Sequence, residues 1–208
     1  MGTLTAALAE AVARVWAIEV DPELAGRLRR RFERAPGVSV LEADATRVDW
    51  PAEPFAVVAN LPFAGAAGIL RSLLDDPCVP LTRADVIVQW EMAVKRARLW
   101  PSTLASVFWG AWYEFSVVRR LPPSAFSPPP AAAAGVLRIE RRAEPLVPVR
   151  ESRAYGAFVR SAFNGRRMVS GRRAKRLADE LGFSRTAAPR DLDPHHSAAL
   201  YCLVRAGR

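Results

Sequence analysis

Apolar positions along the first 110 residues recur in two alternating periods. From Thr3 to Ala13, Leu4, Leu8 and Ala11 or Val12 fall on one face, which predicts a helix. Val15 to Val20 (VWAIEV) predicts a strand. Asp21-Pro22 then supplies an N-cap and a proline at the first helical position, opening a helix to about Arg34 that Pro36-Gly37 ends. Val38 to Leu41 predicts a short strand, Phe55 to Ala59 a strand of buried type, Ala66 to Leu74 a helix, Val86 to Gln89 a strand and Glu91 to Arg98 a helix. This alternation predicts an α/β domain with a largely parallel sheet. The pattern changes after about residue 110. Tyr113 to Val118 and Val136 to Glu140 predict two neighbouring strands, a hairpin with a long connection. That connection, LPPSAFSPPPAAAA, is too rich in proline for a helix or a central strand. From Arg150 the chain reads as helical and basic, with nine Lys/Arg and the single acid Glu151 between residues 150 and 176. The expected division is a domain over 1–146 and a helical lobe over 147–208, whose last helix (Asp191 to Val204) Asp193-Pro194 opens.

Composition adds a partner class. The 208 residues are 50% hydrophobic and 25% charged, a balance that suits a folded domain. Thirty Lys+Arg against 21 Asp+Glu leave +9, which favours a polyanion, most simply nucleic acid, although a merely basic protein has the same balance. All the basic residues but Lys95 and Lys175 are Arg, which suits bidentate phosphate contact and stacking on bases; a GC-rich coding sequence produces the same bias. Cys78 and Cys202 are too few for a disulfide framework or a Cys-only zinc site, so a reducing cytosol is the expected location. The longest apolar stretch, Phe55 to Leu70, is interrupted by Asn60 and Pro62, and the N-terminus has no basic region before its apolar residues. Neither a membrane span nor a signal peptide is expected. His195-His196 read as solvated surface, and no metal is expected. The six Trp read chiefly as packing, with Trp90 and Trp100 the candidates for base stacking.

Ligands of an open parallel sheet bind beyond the carboxyl ends of its strands. Three polar residues fall there: Glu19 closes VWAIEV, Asp44 follows VSVL, and Asn60 follows FAVVA. Carboxylates at such places can accept from ribose hydroxyls or an adenine amino group, and they also serve as ordinary helix caps. The tetrad Asn60-Leu61-Pro62-Phe63 is sharper. Pro62 stiffens the turn and holds its predecessor extended. The Asn60 amide oxygen and the Leu61 carbonyl can accept two hydrogen bonds from an exocyclic NH₂, and Phe63 offers a face on which an extruded base can stack. Methylating a base amine needs that arrangement. Acceptors hold the nitrogen so that its lone pair turns toward the methyl donor, and no strong general base is required. An ordinary strand-to-helix turn with a core Phe would look similar.

In order along the chain stand Glu19-Val20-Asp21-Pro22, Glu42-Ala43-Asp44-Ala45, Asn60-Leu61-Pro62-Phe63 and Val88-Gln89-Trp90-Glu91 with Lys95-Arg96. Phe126-Ser127-Pro128-Pro129-Pro130, Gly135-Val136-Leu137-Arg138 and the basic segment Tyr155 to Arg173 follow. Together they resemble the rRNA adenine N6-methyltransferases, which include the KsgA enzymes of the small subunit and the Erm enzymes of 23S rRNA. The run Trp100 to Leu104 with Trp109 and Trp112 favours the Erm branch. The resemblance implies a Rossmann-like methyltransferase sheet with a small helical rRNA-binding lobe, acting as a monomer with S-adenosylmethionine. Gly2, Glu19, Val20, Asp44, Ala45 and Asn60 would line the cofactor, with Glu19 on its ribose and Asp44 and Ala45 on its adenine. Asn60 and Leu61 would grip the target adenine N6, with Pro62 fixing the turn and Phe63 and Phe126 flanking the base. Arg160, Arg166, Arg167, Arg172, Arg173, Lys175 and Arg176 would hold rRNA phosphates. The Erm branch implies resistance to macrolide, lincosamide and streptogramin B antibiotics. Alternatives are a KsgA-like enzyme, an inactive rRNA-binding protein and a DNA adenine methyltransferase.

The family's cofactor loop reads E-x-G-x-G-x-G-x-L-T after a first, central strand, whereas this chain starts Met1-Gly2-Thr3-Leu4-Thr5, with Gly2 in the place of the last glycine. The expectation is therefore a sheet without its central strand, in which the strands ending at Glu19 and Asn60 keep unpaired edges. The cofactor would keep ribose and adenine contacts without a wall beside its methionine moiety. A start placed downstream of the true one and a real truncation both account for this.

Overall fold

The computed structural model describes residues 2–206. Its first elements are α1 (Thr3–Ala11), β1 (Val15–Glu19), α2 (Pro22–Arg31) and β2 (Val38–Glu42). β1 and β2 pair in parallel from Val15↔Val38 to Glu19↔Glu42. The α2 start follows its sequence: Asp21 Oδ1 accepts from the Glu23 and Leu24 amides, and Pro22 fills a position whose amide would have no partner. Ala25 and Leu28 are the buried side of this helix. Its arginines face outward, Arg27 toward Glu23 and Arg29 toward Glu42.

A second sheet holds β3 (Phe55–Asn60), β4 (Leu81–Gln89), β5 (Tyr113–Leu121) and β6 (Ala134–Arg141) in the order β3-β4-β6-β5. β3 and β4 are parallel, whereas β6 runs antiparallel to both β4 and β5. The expectation of a largely parallel sheet thus holds for the βα part alone. The proline-rich link between β5 and β6 contains no crossover helix, so those strands return antiparallel as a hairpin must. β4 also begins five residues earlier than its apolar run, because Asp85 is neutralised within the sheet by Arg83 and Arg138.

The helices are α3 (Ala66–Leu74), α4 (Trp90–Ala97), α5 (Leu104–Trp109), α6 (Ser152–Phe163), α7 (Gly171–Leu181) and α8 (Pro194–Ala206). The main core joins Leu70, Leu73 and Leu74 of α3 to Val86, Val88, Leu137 and Ile139 of the sheet and to Trp109 and Trp112. Tyr155, Val159 and Tyr201 of α6 and α8 belong to it as well. At residues 146–147 the Leu146 amide donates to the Ala111 carbonyl, and Trp112 Nε1 donates to the Val147 carbonyl. The lobe is therefore packed onto the sheet domain at its root. A smaller core of Met168, Val169, Ala174, Ala178, Leu192 and Leu200 holds α7.

Among the described residues no strand lies between β1 and β3, and each is the edge of its own sheet. Trp16 (49% exposed), Val20 (67%) and Val58 (39%) lie open on these two strands and the turn after β1. The two units are joined beside this gap. Ser72 Oγ donates to the Ala45 carbonyl, Trp50 Nε1 donates to the Ser72 carbonyl, and Trp50 stacks on Phe55 at 5.7 Å.

Candidate active site and nucleic-acid interface

The parallel strands β1, β2 and β3 end at Glu19, Glu42 and Asn60. Glu19 is fixed at both ends. Its Oε1 accepts the Asp21 amide at 3.0 Å, and its carbonyl accepts the Ala43 amide at 3.0 Å, tying the ends of β1 and β2 together. Val20, next to it, is exposed. Two residues beyond β2, Asp44 Oδ1 accepts from the Thr46 amide and the Thr46 hydroxyl, both at 2.8 Å. These bonds hold the Asp44 carboxyl below the usual carboxylate range, so it stands at the surface ionised and oriented.

The turn of Asp44, Ala45 and Thr46 sits against α3. Ser72 reaches the Ala45 carbonyl, and a Cβ at Gly68 would come within 3.1 Å of Thr46 Cγ2. α3 is in turn seeded by the tetrad, since the Pro62 carbonyl accepts the Gly65 and Ala66 amides at 3.0 and 2.9 Å. Leu61 is the anchor. Its side chain is buried, and its amide donates to the Ile87 carbonyl at 3.1 Å. Asn60 is left exposed at the end of β3, with Pro62 also exposed and Phe63 half-buried. The structure thus brings Glu19, Asp44, Ala45 and the tetrad to one end of the strands through a continuous set of contacts. Half-buried Phe126, whose amide donates to the Pro123 carbonyl, lies in the loop that enters β6 at Ala134 opposite Gln89, the end of β4. That loop arrives at the same end as Asn60.

Gly2 is not brought there. It has a left-handed φ of 72°, and a Cβ on it would meet Leu28 Cδ2 at 2.8 Å and Phe32 Cε2 at 3.2 Å. It packs on the second half of α2, while Glu19 sits at the start of that helix. Leu28 and Phe32 are the side chains that hold it there.

In the lobe, Ala174 and Ala178 are buried and turn the rest of α7 outward. Arg172, Arg173, Lys175 and Arg176 are exposed there, as are Arg160 on α6 and Arg166 and Arg167 after it. Arg176 pairs with Glu180 at 2.9 Å. Seven exposed cations thus lie on α6, on α7 and between them.

Of the tryptophans, Trp109 and Trp112 are core, and Trp100 Nε1 donates to the Asp191 carbonyl. Trp90 is half-buried beneath Arg120, whose guanidinium stands 5.0 Å from its ring centroid. Nothing in the run VVRRL marks Arg120 as the partner of a ring thirty positions earlier. No helix among the described residues is long and apolar enough to cross a membrane, and none of their His, Cys, Asp and Glu side chains cluster as a metal site.

The family model for ribosomal RNA adenine dimethylase matches residues 1–173. The chain belongs to the ribosomal RNA adenine dimethylase family. It is 36% identical over 213 residues to the mycinamicin-resistance protein MyrB of Micromonospora griseorubida, covering 98% of this chain and 67% of that protein. It is 35% identical over 165 residues to an rRNA adenine N-6-methyltransferase of Corynebacterium diphtheriae, covering 79% of this chain and 64% of that one. The chain spans about two thirds of the length of these curated relatives. The crystal structure of the 23S rRNA methyltransferase ErmE superposes with a TM-score of 0.81 at 27% identity, over 96% of this chain and 85% of that chain. The family's methyltransferase fold, with strands and flanking helices, is thus present here, its described strands divided between two sheets.

Proposed function

We propose that the chain methylates N6 of an adenine in 23S rRNA with S-adenosylmethionine as donor, and so confers resistance to macrolide, lincosamide and streptogramin B antibiotics. The carrying observation is Asn60, exposed at the end of β3 on a proline-stiffened turn whose Leu61 is anchored in the core. Its amide oxygen and the Leu61 carbonyl accept the two N6 protons of an extruded adenine, which turns the nitrogen lone pair outward. Phe63 and Phe126 stack on the base. The cofactor supplies a methyl group on a sulfonium, electrophilic enough that the amine needs no strong base. Glu19 and Asp44 suit its adenosine end, since both are acceptors fixed at strand ends. Val20, Ala45 and Asn60 line the same place. Residues 1–146 carry the chemistry and 147–208 the phosphate grip, through Arg160, Arg166, Arg167, Arg172, Arg173, Lys175 and Arg176. The reading places the protein in the cytosol, as a monomer. The names of the relatives support an rRNA acceptor, and the superposition on ErmE supports the methyltransferase fold.

A second reading, an rRNA-binding protein that transfers no methyl group, is favoured by one observation: Gly2 packs on Leu28 and Phe32 and not beside Glu19 and Asp44 at the strand ends. Transfer of tritiated methyl groups to 23S and 16S rRNA separates the two. Label in 23S adenine N6, lost in Asn60→Ala while RNA affinity stays within about twofold, is expected, because one exposed hydrogen-bonding group contributes little to a multivalent phosphate grip. RNA binding with no transfer selects the second reading, and transfer that survives Asn60→Ala removes Asn60 from the chemistry.

A further inference from the structure

Asn60 pairs with Ile87 on β4, and three residues further on the chain turns into α4 at Trp90. Trp90 lies against β6 at Gly135, where a Cβ would stand 3.1 Å from its Cε3 atom and 3.0 Å from Ala93 Cβ. Glycine is what leaves room for the indole. Gly135 is the cross-strand partner of Arg120 on β5, and this register sets the Arg120 guanidinium over the indole. Trp90, Glu91, Val94 and Lys95 fall on one stripe of α4 and, with Arg98 just past its end, line a shallow groove of about 330 Å³. Lys95, Arg98 and Arg120 are exposed, and among the described residues none of them forms an ion pair with a carboxylate. Glu91 is the one acid of the lining.

An aromatic ring capped by an arginine plane, beside two unneutralised cations, matches the needs of a single unpaired nucleotide: a flat face for the base and positive charge for its phosphate. The position supplies the rest. Trp90 is about 10 Å of extended chain beyond Ile87, the residue opposite Asn60. An adenine extruded into the Asn60 turn carries its neighbour in the strand toward that distance, and the neighbour has lost its own stack.

We propose that this groove seats the unpaired nucleotide adjoining the methylated adenine, with its base on the Trp90–Arg120 pair and its phosphate on Lys95 and Arg98. The proposal rests on reading the chain as an enzyme of rRNA adenines. It adds a positioning surface on the sheet domain, separate from the lobe.

The test uses the whole chain and a short unpaired RNA oligonucleotide with a central adenine flanked by 5-iodouridine. Irradiation is expected to crosslink the iodouridine to the peptide that contains Trp90. Arg120→Leu, which removes an exposed side chain, is expected to weaken binding at least about fivefold, the low end of one lost base stack. Arg98→Gln is expected to lower the slope of log affinity against log salt by about 0.7, one single-strand phosphate contact. Crosslinks confined to other peptides, with both variants binding as the parent while Arg172→Gln on α7 weakens binding, would overturn the groove and leave the rRNA reading standing. A parent chain with no affinity for the RNA overturns both.

Discussion

Asp85 sits on an interior strand with two arginines on its carboxylate: Arg83 Nε at 2.6 Å and Arg138 Nε, its cross-strand partner, at 2.8 Å. Burial alone would push its pKa up, but the hydrogen bonds from Arg138 and Arg83 outweigh it and hold the group below its ordinary value of 3.8. A carboxyl lowered on folding adds stability above its unfolded pKa and loses it as the pH falls through the folded value. Asp85→Asn is therefore expected to destabilise the chain by roughly 1 kcal/mol at pH 7, a figure discounted for partial exposure. The gap to the parent should narrow as the pH falls through the folded carboxyl's lowered range. Urea titrations at pH 7 and along an acid series check this, and an equal gap throughout would contradict it. Residues whose partners are near in sequence are legible from the amino-acid order alone: Asp21 as a cap, Asn60 ahead of Pro62. Asp85 with Arg138 and Trp90 with Arg120 are not, because each pair is made by strand register, which a single sequence does not display.

At the scale of elements, α5 shows why some helices escape a periodicity reading. It has six residues, less than two turns, too few for a face to repeat. Its signal is local instead, a capping box in which Thr103 and Ser106 satisfy each other's amides. The helix ends at Gly110, where the lobe docks. A Cβ there would stand 2.4 Å from Pro194 Cγ at the start of α8 and 2.6 Å from the Ser106 carbonyl. Gly110→Ala is expected to cost about 2 kcal/mol or more, since neither the proline ring nor the helix backbone can give way. A thermal melt reads this as a lower Tm, and an unchanged Tm would show that α5 and α8 separate freely. The βα elements up to residue 98 are readable from their alternation. The antiparallel placing of β6 between β4 and β5 is not, because a proline-rich link records that the chain returns but not which strand it joins.

For the whole molecule, the division into two sheets governs both stability and function. Val15, Ala25 and Leu28, the buried apolar residues of the N-terminal unit, lie outside both cores, and among the described residues no strand pairs with β1 and β3 together. Amides of β1 and β2 are expected to exchange hydrogen at least about a hundredfold faster than those of β4 and β6, which share the main core. Equal protection by mass spectrometry would mean that the two units open as one. The packing of Gly2 is not legible in the sequence, since it is made by Leu28 and Phe32, far from it along the chain. Calorimetric titration of S-adenosylmethionine into the folded chain tests directly whether the acceptors at the ends of β1, β2 and β3 form a cofactor site. Saturable binding is expected, weakened about tenfold or more in Asp44→Ala, the loss of one hydrogen bond to a charged group. A folded chain that gives no heat of binding, or one bound equally well by Asp44→Ala, would contradict the assignment of a cofactor to these strand ends.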